Sequence, residues 1–226
     1  MHRLDPHQVR QFQILLIRWY RRHGRDLPWR RTRDPYRILV SEIMLQQTQV
    51  DRVLNYYDPF LRRYPTIDAL AASSEPQVRE SWDGLGYYAR ARNLHRTAKR
   101  VRQEHGGRIP PSSALIRELP GIGRYTAGAV LSFAYGQDAA ILDTNAARVL
   151  QRVFGVRRHG SKSRLQRRLW ELAEAVTPRG RASVYNQAIM DLGAMLCRPR
   201  SPACPQCPVR LHCCTAAAAA AQTPGR

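Results

Sequence analysis

Lysine is almost absent from this chain. Only Lys99 and Lys162 occur among 37 basic residues, so nearly all the positive charge is arginine. Acidic residues are also scarce, 17 in 226, which leaves a formal net charge of +20 at pH 7. Coding bias in a GC-rich genome raises arginine by itself. Here, however, the basic residues run the whole length of the chain, and a polyanionic partner is the physical expectation, because each neutralised phosphate releases condensed counterions. No apolar run approaches the ~20 residues of a membrane span. The opening MHRLDPHQVRQF lacks the apolar core of a secretory signal. These absences exclude a helical membrane protein and point to a soluble, intracellular one. Period-two alternation is missing as well, which removes strands as the main element.

What remains is helical periodicity on an ordinary globular hydrophobic content of 43%. Val9 to Tyr20 carries Phe12, Leu15, Leu16 and Trp19 at helical spacing, and the turn GRDLPW ends it. Asp34-Pro35 reads as an N-cap followed by a first-turn proline, opening a helix through Ile38, Leu39, Ile43 and Leu45. Further helices are expected over 53–64, 66–72, 75–82 and 88–105. After the break GGRIPPSS come 113–119, 124–135, 144–154, 163–176 and 183–195. The tail TAAAAAAQTPGR is low in complexity and reads as frayed helix or disorder. The fold class is all-α.

Cys197, Cys204, Cys207 and Cys213 form a C-x6-C-x2-C-x5-C run among prolines and arginines. An intracellular protein does not normally use such a set for disulfides. Four thiolates converging in one turn-rich loop hold a metal, and spacing alone leaves zinc and an iron–sulfur cluster equally open. Cys214 is a bystander.

LPGIGRYTAG, 119–128, joins two short apolar helices by a turn almost bare of side chains. Gly121 and Gly123 permit positive φ and close approach of backbone to a ligand. The helix that starts at Arg124 presents unpaired N–H groups suited to a phosphate oxygen. With the net charge, this reads as a helix-hairpin-helix grip on DNA backbone.

Taken together, RDLPWR (25–30), DPYRILVSEIMLQQTQV (34–50), GLGYYARARNLH (84–95), LPGIGRYTAG, ILDTNAARVL (141–150), YNQAIMDLGAMLC (185–197) and the cysteine run resemble the helix-hairpin-helix DNA glycosylases. This superfamily includes endonuclease III, and within it the chain looks most similar to the MutY-like adenine glycosylases. The resemblance implies a helical barrel bearing the hairpin over 28–140. It also implies an iron–sulfur domain made of 1–27 with 141–213, a DNA-binding cleft between the two, and a disordered tail over 214–226. It implies one [4Fe-4S] cluster on Cys197, Cys204, Cys207 and Cys213.

It also assigns roles. Glu42 matches the acid that protonates the departing purine, and its apolar neighbours Ile43, Met44 and Leu45 favour a raised pKa. Asp143 matches the second carboxylate, facing the oxocarbenium-like sugar. Asp-Thr-Asn is also a good N-cap, and the two roles are compatible. Tyr125 stands where endonuclease III has a lysine that forms a Schiff base, which implies a monofunctional enzyme that leaves the abasic strand intact. Gln47, Thr48 and Tyr87 match residues that contact or wedge into the stack at the opposite purine. Arg30 and Gln187 match residues near the flipped adenine, whose N6/N7 edge a planar amide can pair bidentately. Gly121, Gly123 and Arg124 would hold the DNA backbone.

The expected activity is removal of adenine mispaired with guanine or 8-oxoguanine, in base excision repair, by a monomer acting on mismatched double-stranded DNA. The expected location is the cytoplasm, at the nucleoid in a bacterium or archaeon. Two departures stand out. Thr144 follows Asp143 where adenine glycosylases commonly have glycine, and the chain stops soon after Cys213, where MutY-like proteins continue into an 8-oxoguanine-reading domain. Tyr125 and Thr144 keep removal of thymine or uracil opposite guanine as the alternative. A non-catalytic DNA-binding iron–sulfur protein is a third, disfavoured because binding alone needs neither Glu42 nor Asp143.

Overall fold

The computed structural model describes residues 4–157 and 159–221. Among the described residues there are twelve α-helices, three one-turn 3-10 helices and no strand. No described helix is long and apolar enough to cross a membrane. The chain divides into two compact units, Asp26–Gly136 and Met1–Arg25 with Gln137–Arg226.

The first unit holds α2 (Pro35–Leu45), α3 (Val50–Arg63), α4 (Ile67–Ala72), α5 (Glu75–Glu80), α6 (Ala89–His105), α7 (Ser113–Arg117) and α8 (Arg124–Phe133). Asp34 starts α2 by accepting from the Tyr36 and Arg37 N–H groups at 2.8 and 3.3 Å, with Pro35 at the first helical position. From Ile38 to Met44 every residue of α2 is buried. A helix apolar on all sides belongs at the centre of its domain, and α2 packs against α3, α6 and α8. Ser74 and Gln77 form a reciprocal capping box at the start of α5.

The second unit holds α1 (Pro6–His23), α9 (Thr144–Val153), α10 (Lys162–Val176), α11 (Ala182–Met195) and α12 (Cys214–Ala221). Its core gathers Phe12 and Leu16 of α1, Val149 and Leu150 of α9, Leu169 of α10, and Tyr185, Ile189 and Leu192 of α11. Phe12, fully buried, meets Phe154 and Tyr185 edge-on at centroid distances of 5.4 and 6.1 Å. Burying such a side chain contributes about 1.5–3 kcal/mol. Asp191, also fully buried, accepts from the Arg25 backbone and guanidinium at 2.9 and 2.8 Å, fastening the segment after α1 onto α11.

The tail, read from sequence as frayed helix or disorder, is helical over Cys214–Ala221, in keeping with alanine's helix propensity, the highest of any residue. Residues 222–226 lie outside the described residues.

Candidate functional site

Glu42 is carried by α2 and is only 4% exposed, surrounded along its helix by Ile38, Leu39, Ile43 and Met44. A carboxyl so placed is held by packing on every side, which fixes its position as a surface helix would not.

Immediately after α2 the chain passes through Gln47, whose φ is 56°; Tyr87, φ 49°, is its counterpart in the loop before α6. For residues other than glycine this left-handed conformation costs about 1–2 kcal/mol each. Tyr87 is nevertheless 60% exposed. Both residues, with Thr48, Arg52, Asn55 and Tyr56, line an open recess of about 850 Å³. The structure thus brings Gln47, Thr48 and Tyr87 together.

The hairpin lies between α7 and α8. Gly121 has φ 76°, and a Cβ there would sit 2.8 Å from Asn93 Nδ2 and 2.9 Å from Asn93 Cβ. Glycine is therefore required by the fold. Gly123 is different: its φ is −91° and a Cβ would meet nothing within 4 Å. Thr97 donates to the Pro120 carbonyl at 3.0 Å and Arg100 to the Glu118 carbonyl at 2.6 Å, so α6 supports the turn from behind. Arg124 opens α8 and is exposed, and Tyr125 beside it is half-buried. Arg30 ends the 3-10 turn Pro28–Arg30, anchored by buried Trp29.

Asp143 belongs to the second unit and caps α9. Its Oδ1 accepts from the Ala146 N–H at 2.7 Å and its Oδ2 from Asn145 Nδ2 at 3.0 Å. Asn145 Oδ1 in turn accepts from Arg148 Nη2 at 2.7 Å, and Arg148 Nε donates to the Cys197 carbonyl at 2.7 Å. A continuous hydrogen-bonded chain thus joins Asp143 to the cysteine loop. Gln187, on α11, accepts through Oε1 from the Tyr20 hydroxyl at 2.5 Å. Asn145, Arg148 and Tyr20 escaped the sequence reading. The D-x-N of ILDTNAARVL is the local signal that could have found Asn145.

Cys197, Cys204, Cys207 and Cys213 are free thiols, all half-buried. They line one space of about 410 Å³ with Val149, Val153, Leu192, Leu196 and Val209. Burial pushes the Cys207 thiol up to about 11 and raises that of Cys213, and the neighbouring cysteines push the same way. Arg152 Nη1 lies 3.4 Å from Cys197 Sγ, and the Cys213 thiol faces the Arg152 carbonyl at 3.4 Å. Among the described residues no three His, Cys, Asp or Glu side chains gather around one point as ligands of a single ion. An all-sulfur donor set lining an apolar space, with a guanidinium to offset thiolate charge, fits an iron–sulfur cluster in chemistry and in room.

A family model described as HhH-GPD superfamily base excision DNA repair protein matches residues 40–175. The adenine DNA glycosylase of Homo sapiens is 43% identical over 218 residues, covering 92% of this chain and 40% of the relative. That of Buchnera aphidicola subsp. Baizongia pistaciae is 42% identical over 203 residues, 89% of this chain and 57% of the relative. The chain thus spans roughly half the length of these relatives. A thymine-DNA glycosylase of Aeropyrum pernix is 39% identical over 93% of this chain and 96% of the relative. Among solved structures, a thermostable thymine-DNA glycosylase superposes with a TM-score of 0.86 at 32% identity, covering 94% of this chain and 98% of the other. Endonuclease III in a non-covalent complex with DNA gives 0.81 at 22% identity, over 97% and 100%, which is a likeness of fold.

Proposed function

The chain belongs to the HhH-GPD superfamily of base excision DNA repair proteins, and we propose that it is a monofunctional DNA glycosylase removing adenine paired with guanine or 8-oxoguanine. The observation that carries the reading is the pair of rigidly held carboxyls. Glu42 is locked in a helix buried on all sides, and Asp143 is held through both its oxygens.

Hydrolysis of an N-glycosidic bond needs a proton for the departing base and stabilisation of positive charge on the sugar. Glu42 supplies the proton to the purine as the bond to C1′ breaks. Asp143 faces the developing oxocarbenium charge, and its two hydrogen bonds keep it from collapsing onto the sugar. Water then adds its hydroxyl to C1′ and its proton returns to the Glu42 carboxylate, leaving free adenine and an abasic but unbroken strand. No step uses an amine, since Tyr125 occupies the hairpin position and neither Lys99 nor Lys162 lies there.

Adenine recognition falls to Gln187, with Arg30 nearby in role. Tyr20 fixes which way the amide faces. Its Nε2 is left to donate to N7, and the second lone pair of Oε1 can accept from N6. Double-stranded mismatched DNA is held as a backbone through Gly121, Gly123 and Arg124 and wedged by Gln47, Thr48 and Tyr87. A Cβ at Gly123 would meet nothing within 4 Å in the protein, so the bare position leaves room for a ligand to come close. In this reading 28–140 forms the helical barrel and 1–27 with 141–213 the iron–sulfur domain, with the protein acting as a monomer in the cytoplasm, at the nucleoid in a bacterium or archaeon. Cys197, Cys204, Cys207 and Cys213 hold one [4Fe-4S] cluster, which when bound ties their segments into one rigid loop and takes no part in hydrolysis.

A second reading, thymine or uracil removal opposite guanine, is favoured by the near full-length likeness to a thymine-DNA glycosylase and by Thr144 beside Asp143. Single-turnover assays on A:8-oxoG, A:G, T:G and U:G duplexes decide between them. Alkali-labile sites in the A-containing duplexes are expected, and cleavage confined to T:G and U:G would replace the first reading by the second.

A further inference from the structure

Arg90, the second residue of α6, is 8% exposed. Its Nη1 donates to the carbonyls of Ile43, Met44 and Gln46 at 3.1, 2.6 and 2.6 Å. Its Nη2 donates to those of Leu85 and Gly86 at 3.4 and 3.0 Å. The first three acceptors are the open carbonyl end of α2, where a helix lacks internal partners and favours a cation. The other two belong to the loop before α6. Gln47 follows one set directly and Tyr87 the other, and these are the two non-glycine residues of the recess with left-handed backbone. The guanidinium carbon also lies 5.4 Å from the Tyr87 ring centroid and 5.5 Å from that of Trp82. Trp82 Nε1 adds a second donor to the Gly86 carbonyl at 3.2 Å.

Left-handed backbone at glutamine and tyrosine persists only where surrounding bonds over-determine it. Glycine would adopt it without strain, so the side chains themselves are wanted at these points. We propose that Arg90 is a positioning residue which joins the Gln47 and Tyr87 loops into a single preformed wedge for the base opposite the target, an inference that rests on the glycosylase reading. Lysine cannot replace it. A single ammonium cannot reach both sets of carbonyls, whereas the planar fork of arginine presents separate nitrogens to each.

Hydrogen exchange of the free protein tests the coupling, and duplex binding tests its use. In Arg90→Lys the amides of 46–49 and 84–88 should exchange faster together, by about tenfold or more, with the rest of the unit unchanged. Preference for an A:G duplex over a matched one should fall by about tenfold in Arg90→Lys and in Tyr87→Ala, and no further in the double variant, because coupled residues are not additive. Loosening of one segment alone, or penalties that simply add, would overturn the proposal. Should Arg90→Lys fail to fold, Gly86→Ala serves. A Cβ there meets nothing within 4 Å, but φ +78° disfavours it, so the Gly86 carbonyl shifts while Arg90 stays. Joint loosening of both segments supports the clamp, and a change confined to 84–88 refutes it. A wild type that excised no base would sink the glycosylase reading, while the exchange result would still decide whether Arg90 couples the loops.

Discussion

Asn145 donates its side-chain amide to Asp143 at 3.0 Å while accepting from Arg148 at 2.7 Å. The aspartate is therefore held both by the end of its own helix and by Asn145, which Arg148 in turn links to the cysteine loop. Asn145→Ala removes the second support and leaves the cap bond from Ala146 intact. A hydrogen bond to a charged group is worth roughly 1.5–3 kcal/mol, so the melting temperature should fall and the single-turnover rate should drop by about tenfold or more. Gly193→Ala should act on the same residue from outside. Its Cβ would sit 2.6 Å from Asn145 Cβ and 3.0 Å from the Asn145 backbone, forcing α9 and α11 apart. Overpacking of this kind costs about 1–3 kcal/mol, and thermal denaturation will show whether it does.

Glu42→Gln keeps shape and hydrogen-bonding capacity and removes the transferable proton. Excision should drop by about a hundredfold or more, the usual worth of general acid catalysis. Affinity for the mismatched duplex should hardly change, because Glu42 neutralises no phosphate. Near wild-type excision by the variant would end its assignment as the acid.

The two hairpin glycines should separate stability from binding. Gly121→Ala meets both the positive φ and Asn93, so it should lower stability by about 1 kcal/mol or more. Gly123→Ala has ordinary backbone and open space, so its melting temperature should stay near wild type while DNA affinity falls. Equal affinity in Gly123→Ala and wild type would contradict the phosphate contact.

Tyr125→Lys would place an amine at the start of α8, in the position that the resemblance assigns to a Schiff-base lysine. Wild type should leave unbroken strands until alkali is added. The variant should become covalently trapped on borohydride reduction and nick the strand, while still releasing adenine through Glu42 and Asp143. Strand breakage by the unmodified protein would contradict the monofunctional reading.

Purified protein should be yellow-brown and contain iron. Cys204→Ser should lose iron and DNA affinity before the chemical step suffers, as seen by comparing metal content, binding and single-turnover rate in one preparation. Stoichiometric zinc without iron would refute the cluster.

Helices were legible wherever local chemistry marks their ends. Asp34-Pro35 predicts the start of α2 because the capping carboxylate and the fixed proline φ act within three residues, and the structure has both. The apolar surroundings of Glu42 were likewise readable from its helix. Arg90, Asn145 and Arg148 were not, because a guanidinium that seeks carbonyls from several segments leaves no period or spacing in the sequence. Nor were the left-handed Gln47 and Tyr87, where propensity would put glycine; tertiary bonds override it there.

Arginine does more in this chain than carry charge. Arg90, Arg100, Arg148 and Arg152 each donate to main-chain carbonyls of a segment other than their own helix. Exchanging one cation for another is ordinarily the mildest of substitutions. Here a lysine-for-arginine replacement at these positions would leave the isoelectric point almost where it was and take struts out of the frame, so the near absence of lysine is a property of the architecture as well as of the surface.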